Sequence, residues 1–272
     1  MESNVIRFLK QSGIQPGFHV VLHGSFSSIR QATDCDSPEL FLRLLTEYLT
    51  PHGSLIVPAF TYSFKGNKNS EVYNPDHSVP KTGILSETFR KMENVHRTYS
   101  PTHSFCIWGS FNQLIRHDIS PQSPLGWGSP MSYLLGNKDS HILMLGTDFA
   151  SLSFIHFLEV YFNLGYVNIF PWGHVGIEPV GVSVWGEQKL NEVPGCSKSF
   201  TNLELSLEDD GYFLPHDYNG MLFKLINVRG LLFFSTSFMK DHYRSLLCID
   251  QECKACTHRR AKLKELEKLH EL

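Results

Sequence analysis

The sequence predicts an α/β fold, a central mixed sheet flanked by helices with a smaller subdomain beside it. Three observations predict it. Short apolar runs alternate with longer segments of helical periodicity, and each run ends near glycine, proline or serine. The chain is also long enough, at 272 residues with 42% hydrophobic and 12% aromatic content, to close one large core. The whole span 1–272 reads as a single domain with a core over about 1–170, closing elements over about 171–247 and a cysteine-containing helical tail over about 248–272.

The elements follow in order. MESNVIRFLKQSG opens the chain as an amphipathic helix with Val5, Phe8 and Leu9 inward. Val20–Leu22 is a short buried strand, and the loop His23-Gly24-Ser25-Phe26-Ser27-Ser28 follows it. Ser37 is a good N-cap ahead of Pro38 at the first helical position, which starts a helix over 38–49. Leu55–Val57 is the next strand. Residues 60–81 are too long for a simple connection and read as a functional loop. A helix over 82–93 places Ile84, Leu85 and Phe89 on one side; the strand Ser104–Trp108 and a helix over 129–135 come next. Ile142–Leu145 is a strand ending at Gly146, and a helix over 152–164 follows. Between 175 and 236, VGIEPVGVSVWG, LELSLEDDGYF and VRGLLFFSTS predict further strands. Arg259–Leu272 is a charged surface helix with a docking stripe of Leu263, Leu266 and Leu269.

Composition narrows the function. A formal net charge of −3 gives no argument for nucleic acid or an anionic membrane as partner. No signal-peptide core opens the chain and no apolar run reaches membrane-spanning length, so a soluble cytoplasmic protein with its six cysteines reduced is expected. The loop after the first strand lacks both G-x-G-x-x-G and a P-loop lysine, which argues against dinucleotide and triphosphate chemistry. No G-x-S-x-G elbow is present, and Cys106 in FCIWG reads as buried core and not as a nucleophile.

The chemistry concentrates in HILMLGTDFASLSFIHFLE, residues 141–159. A strand ending in a glycine turn before a helix is a common way to expose side chains at a cleft. His156 and Glu159 stand three apart on that helix and share a face, so the carboxylate can hold one imidazole nitrogen and leave the other free to take a proton. The alternative is a local contact on a partly exposed helix.

The ordered segments VVLHGSFSSI, GSLIVPAFTYSF, NPDHSVPKTGILSETFRKMENVHRTYSPTHSFCIWG, PLGWGSP and LMLG…SFIHFLE resemble the aminoglycoside 3-N-acetyltransferase (antibiotic N-acetyltransferase) family over about residues 18–163, with PGCSKSF (194–200) compatible beyond it. The resemblance implies acetyl-coenzyme A as donor and an amine on a sugar-like acceptor. It implies His156 as general base with Glu159 as its orienter, and it brings forward His103, in SPTHS, and Ser153, which matches a family threonine, as further catalytic candidates. On the donor side it implies His23, Gly24, Ser25, Phe26, Ser27 and Ser28 as an anion cradle, joined by Arg97 and by Ser129 at a helix start. The smaller subdomain then lies on the acceptor side. No R/Q-x-x-G-x-G/A loop is present, so the GNAT fold is not expected.

The sequence departs from the family pattern. A His-Ser-Ser triplet becomes His23-Gly24-Ser25, a Gly-Gly-Ala helix start becomes Thr33-Asp34-Cys35-Asp36, and a family Asp and Asn become Ala150 and Leu152. These changes point to an amino sugar other than a standard aminoglycoside, with a nucleotide-linked one open. No firm metal is expected, although Cys248, Cys253, Cys256 and His258 form a C-x4-C-x2-C-x-H set with zinc-binding residue types. A coenzyme A-binding or partner-binding module of the same fold, and a homodimer contact through the tail, stay open.

Overall fold

The computed structural model describes residues 3–116 and 119–270. Its strands are β1 (His19–Gly24), β2 (Ser54–Pro58), β3 (His96–Arg97), β4 (Phe105–Gly109), β5 (Ser140–Leu145), β6 (Val180–Ser183), β7 (Gly186–Lys189), β8 (His216–Tyr218) and β9 (Met221–Asn227). Its helices are α1 (Asn4–Gln11), α2 (Phe26–Thr33), α3 (Pro38–Leu49), α4 (Ile84–Arg90), α5 (Pro130–Gly136), α6 (Phe154–Tyr161), α7 (Thr201–Asp209), α8 (Val228–Asp241) and α9 (Lys254–His270).

Seven strands form one mixed sheet in the order β3-β4-β2-β1-β5-β9-β8. β1 runs parallel to both β2 and β5, while β4 and β9 pair antiparallel outside them. The strand side chains alternate between two apolar layers, as a pleat of period two requires. Val21, Ile56, Phe105, Ile142 and Met144 face a core filled from α5 to α9. Val20, Leu22, Leu55, Val57, Leu143 and Leu145 face a second core filled from α1 to α4. Coverage on both faces explains why these strands read as continuous apolar runs. β6 and β7 form a separate two-stranded sheet. No helix among the described residues is long and apolar enough to cross a membrane.

Local signals held where capping chemistry specified them. The Ser37 hydroxyl accepts the Leu40 N–H at the head of α3, and α1 buries Val5, Phe8 and Leu9. Two expectations need correction. The segments LELSLEDDGYF and VRGLLFFSTS are not strands: they form α7 and most of α8. α4 is shorter than the predicted 82–93, and Ile84 turns outward at 54% exposure while Leu85 and Phe89 are buried. In the tail, Leu263 docks and Leu266 is exposed; the side chain of Leu269 lies outside the described residues.

The long loop is pinned and not free. Phe64 bridges to Gly181 and Tyr73 to Ser183, so residues 64–73 lie along the β6–β7 hairpin. Arg97, buried on β3, fixes the same loop from beneath. Its guanidinium donates to the carbonyls of Ala59, Pro75 and Ser78 and to the Ser104 hydroxyl, and it lies 5.2 Å from the Tyr73 ring centre.

Candidate active site

The C-terminal ends of β1 and β2 and the loop that follows β5 open on a cavity of ≈ 870 Å³, the usual site of a ligand crevice beside parallel strands. His23 and Gly24 line it from β1, Pro58 from β2, Thr147 and Ser153 from the β5–α6 connection, and His156 from α6. Gly146 makes that connection possible. Its φ is +60°, and a Cβ there would meet Ser28 Cβ at 2.4 Å, so only glycine lets the turn pass over the start of α2.

α6 starts at Phe154 and carries His156 and Glu159 on one face, both nearly buried. His156 Nδ1 lies 2.7 Å from Glu159 Oε2, a contact that places the ring proton on Nδ1 and leaves the Nε2 lone pair free. The other carboxylate oxygen is also occupied: the Tyr166 hydroxyl donates to Oε1 at 2.8 Å. Burial holds the Tyr166 phenol well above its ordinary value, so it remains a donor. Phe200 packs edge-on against the imidazole, with ring centres 4.8 Å apart. Ser153, at the helix start, lines the cavity and makes no side-chain capping bond.

His103 lies in the same cavity but in a different environment. Phe60, Tyr62 and Phe64 surround it edge-on, and its Nδ1 is 3.0 Å from Thr102 Oγ1. Burial, with a smaller contribution from the nearby His156, pushes its pKa down to about 3. A histidine held neutral at that value is a weak base, although it can still offer a hydrogen bond. His23 is similarly pushed down to about 4 by burial. Its Nε2, like Thr147 Oγ1, is buried without a hydrogen-bond partner.

A family model described as aminoglycoside 3-N-acetyltransferase matches residues 21–240. The chain belongs to this family. Its relatives are acyltransferases, and that is the enzyme class of this chain. It is 25% identical over 207 residues to the SPbeta prophage-derived aminoglycoside N(3')-acetyltransferase-like protein YokD of Bacillus subtilis, an alignment covering 69% of this chain and 74% of that one. The aminoglycoside acetyltransferase AAC(3)-IVa apoenzyme superposes with a TM-score of 0.77 at 20% identity, covering 94% of this chain and 96% of that one. AAC-IIIb, solved as a binary complex with CoASH, superposes at 0.67 and 16% identity, covering 88% and 96%. At these identities the superpositions show the fold, which is that of the aminoglycoside 3-N-acetyltransferases and not the GNAT fold.

Against the expectations drawn from the family pattern, the structure brings His156, Ser153 and His103 to one cavity, with Glu159 behind His156, and disperses the donor-side set. Of residues 23–28 only His23 and Gly24 line the cavity. Ser25 caps α2 by accepting the Ser28 N–H, and its hydroxyl lies 2.8 Å from that of Ser27 near the surface. Phe26 packs partly buried in the α1–α4 core, and Ser28 lies against Gly146. Arg97 is not placed for phosphate, because its guanidinium is buried and donates to the carbonyls and hydroxyl named above. Ser129 is fully buried and donates to the Gly126 carbonyl instead of facing a ligand.

The tail also rearranges the expected cysteine set. His258 is exposed on α9, two residues beyond the buried Cys256 and so on another face of the helix. Cys196, from the cavity wall, takes its place beside Cys248, Cys253 and Cys256.

Several site residues gave no sequence signal. Tyr166 lies in the turn after α6, seven residues past Glu159 and beyond the helix end at Tyr161, so no continuous helix links them. Glu192 shares a small crevice with His156, Glu159 and Arg259. Its Oε1 accepts the Ser123 hydroxyl at 2.6 Å, and burial pushes its carboxyl above the usual range. The PGCSKSF segment does carry a sequence signal, and its Pro194 to Lys198 form one wall of the cavity.

Proposed function

We propose that the protein transfers the acetyl group of acetyl-coenzyme A to the amine of an amino sugar, with His156 as general base. The observation that carries this reading is the chain Tyr166–Glu159–His156, which ends with a free imidazole nitrogen at a large cavity that Ser153 also lines. His156 Nε2 takes a proton from the attacking amine as nitrogen bonds to the thioester carbonyl carbon. The negative charge passes to the carbonyl oxygen, where the Ser153 hydroxyl can donate. Glu159 stabilises the imidazolium, which returns its proton to the departing thiolate as the tetrahedral intermediate collapses to amide and free coenzyme A. His103 stays neutral and limits where the acceptor can sit.

On the donor side, the unpartnered His23 Nε2 and Thr147 Oγ1 suit the amide groups of a pantetheine arm along the ends of β1 and β5. The CoASH complex of AAC-IIIb supports coenzyme A as the donor. The acceptor is a separate matter. None of the described residues lining the cavity is Asp or Glu, whereas Lys81, which donates to the Asn69 carbonyl, and Lys198, which pairs with Asp250, both line it. A polycationic aminoglycoside would find no carboxylate partner there, and an amino sugar carrying phosphate would find cations. This favours a nucleotide-linked amino sugar as acceptor.

The test is thiol release from acetyl-coenzyme A against a panel of aminoglycosides and nucleotide-linked amino sugars, with wild type and His156→Ala. Turnover with the nucleotide-linked group is expected, and His156→Ala should lower kcat by about 10²- to 10⁴-fold with coenzyme A affinity, measured by calorimetry, nearly intact. Turnover with aminoglycosides alone would reject the acceptor. Wild-type turnover by His156→Ala would reject the base.

A further inference from the structure

We propose that Cys196, Cys248, Cys253 and Cys256 hold a zinc ion in a closed structural site that ties the tail to the wall of the cavity. Their four sulfur atoms lie within 4.8 Å of one another, and Cys196 Sγ is 3.9 Å from Cys248 Sγ. Tetrahedral zinc with Zn–S bonds of about 2.3 Å sets its sulfurs about 3.8 Å apart, so a small contraction closes the site. No two of the four are joined as a disulfide. The four come from two places, Cys196 from the loop before α7, and Cys248 and Cys253 from the segment leading into α9 together with Cys256 in its first turn.

The surroundings suit a thiolate site. The Lys198 backbone N–H donates to Cys196 Sγ at 3.5 Å, a bond that offsets charge on a ligating sulfur. Four thiolates around Zn²⁺ leave a net charge of −2, and Lys198, Arg259 and Arg260 stand close by. Lys198 Nζ pairs with Asp250 at 3.1 Å, and Arg260 donates to the Cys248 carbonyl. Arg259 packs so tightly on the loop that a Cβ at Gly195 would meet its Nη1 at 2.3 Å, and it donates to the Val193 carbonyl at 2.9 Å. Protein contacts therefore hold loop and tail in register and bring the thiols together, which lowers the ordering cost of metal binding.

With four protein sulfurs the coordination shell is complete, so the metal leaves no position for substrate or water. Its role is mechanical. Cys196 and Cys253 line the same cavity as His156, and Phe200, which packs on the His156 ring, follows Cys196 by four residues. Zinc would fix that wall and the start of α9 together.

The experiment is metal analysis of the full chain purified with a reductant and no chelator. About one zinc ion per chain is expected, and cobalt loaded in its place should give the absorption bands of a tetrahedral tetrathiolate site. Cys196→Ser should lower zinc content at least fivefold, while His258→Ala should retain it. Chelation should lower the melting temperature of wild type but not that of Cys196→Ser. Should Cys196→Ser fail to fold, the zinc stoichiometry and the cobalt spectrum of wild type decide alone. Metal-free wild type that ignores added zinc and cobalt, a disulfide among the four under reducing conditions, iron in place of zinc, or zinc lost from His258→Ala but kept by Cys196→Ser would each overturn the proposal.

Discussion

Both oxygens of Glu159 are engaged, one by His156 and one by Tyr166. Glu159→Gln keeps the shape but removes the anion that stabilises imidazolium. It should lower kcat and move the ascending limb of the pH–rate profile to lower pH. Tyr166→Phe leaves the anion but withdraws a hydrogen bond that draws charge away from the imidazole. The carboxylate then holds the imidazolium more strongly, and the same limb should move to higher pH, with about a tenfold loss of rate from the disturbed geometry. Steady-state rates of the two variants across pH 5–9 on a good acceptor check both signs; limbs moving together would dismiss Tyr166 as a positioning residue. The pair itself was readable from the sequence because an i,i+3 spacing is a geometric statement about one helix. Tyr166 was not, because a turn and not a helix brings it back to the carboxylate. Arg97 and Ser129 differ from the donor-side role the family pattern implies for them: the partners of Arg97 are carbonyls brought in from distant loops, and Ser129 is turned onto the local Gly126 carbonyl.

At the level of elements, the central strands and α3 were legible because burial on both faces and a capped proline start leave marks in a few consecutive residues. The later helices were not. In LELSLEDDGYF the leucines fall at every second position, which reads as a strand, yet α7 buries Leu203, Glu204 and Leu207 and leaves Leu205 57% exposed. Glu204 belongs inside because Lys224 on β9 meets it there as an ion pair, a partner no local pattern reveals. VRGLLFFSTS carries four consecutive apolar residues, Leu231 to Phe234, so its period is hidden; α8 buries Val228, Leu231 and Ser235 and leaves Phe233 73% exposed. The β5–α6 turn shows the opposite case, in which one residue fixes the junction of two elements. Gly146→Ala would force a side chain into left-handed backbone and into Ser28 at once. A loss of about 2–5 kcal/mol in unfolding free energy is expected from strain plus overpacking. Urea denaturation of Gly146→Ala, and of Gly146→Ala with Ser28→Gly, separates the two: the double variant should recover the overpacking share and keep the strain. An unchanged midpoint in the single variant would reject both the strain and the overpacking assigned to this turn.

Across the whole molecule, the fold holds several histidines neutral, and that sets its acid tolerance. Burial lowers the pKa of His23 to about 4 and of His103 to about 3, and lowers those of His19 and His141 as well. In the unfolded chain each returns to about 6.5. Below that pH the unfolded chain binds protons that the folded chain refuses, so the stabilisation is complete above about 6.5 and is lost as pH falls toward the folded values. Each fully shifted histidine should contribute a slope of about 1.4 kcal/mol per pH unit within its window. Other groups must be weighed. Glu87, held down to about 2 chiefly by Arg90, adds to the acid loss as pH falls from the ordinary carboxylate value toward 2. Glu192 acts the other way, because burial raises its carboxyl and the folded chain then keeps a proton that the unfolded chain releases. Cys196, held down to about 5 chiefly by its hydrogen bond with Cys256, loses stabilisation through the same interval, so the fall from pH 6.5 to 5 is shared between that thiol and the histidines. Urea midpoints taken through that interval should fall steadily, and His103→Asn should make the fall shallower whatever its own stability at pH 8, since the slope counts protons and not contacts. An equal slope in His103→Asn would mean that His103 takes up its proton in the folded protein, which would restore it as a base beside His156.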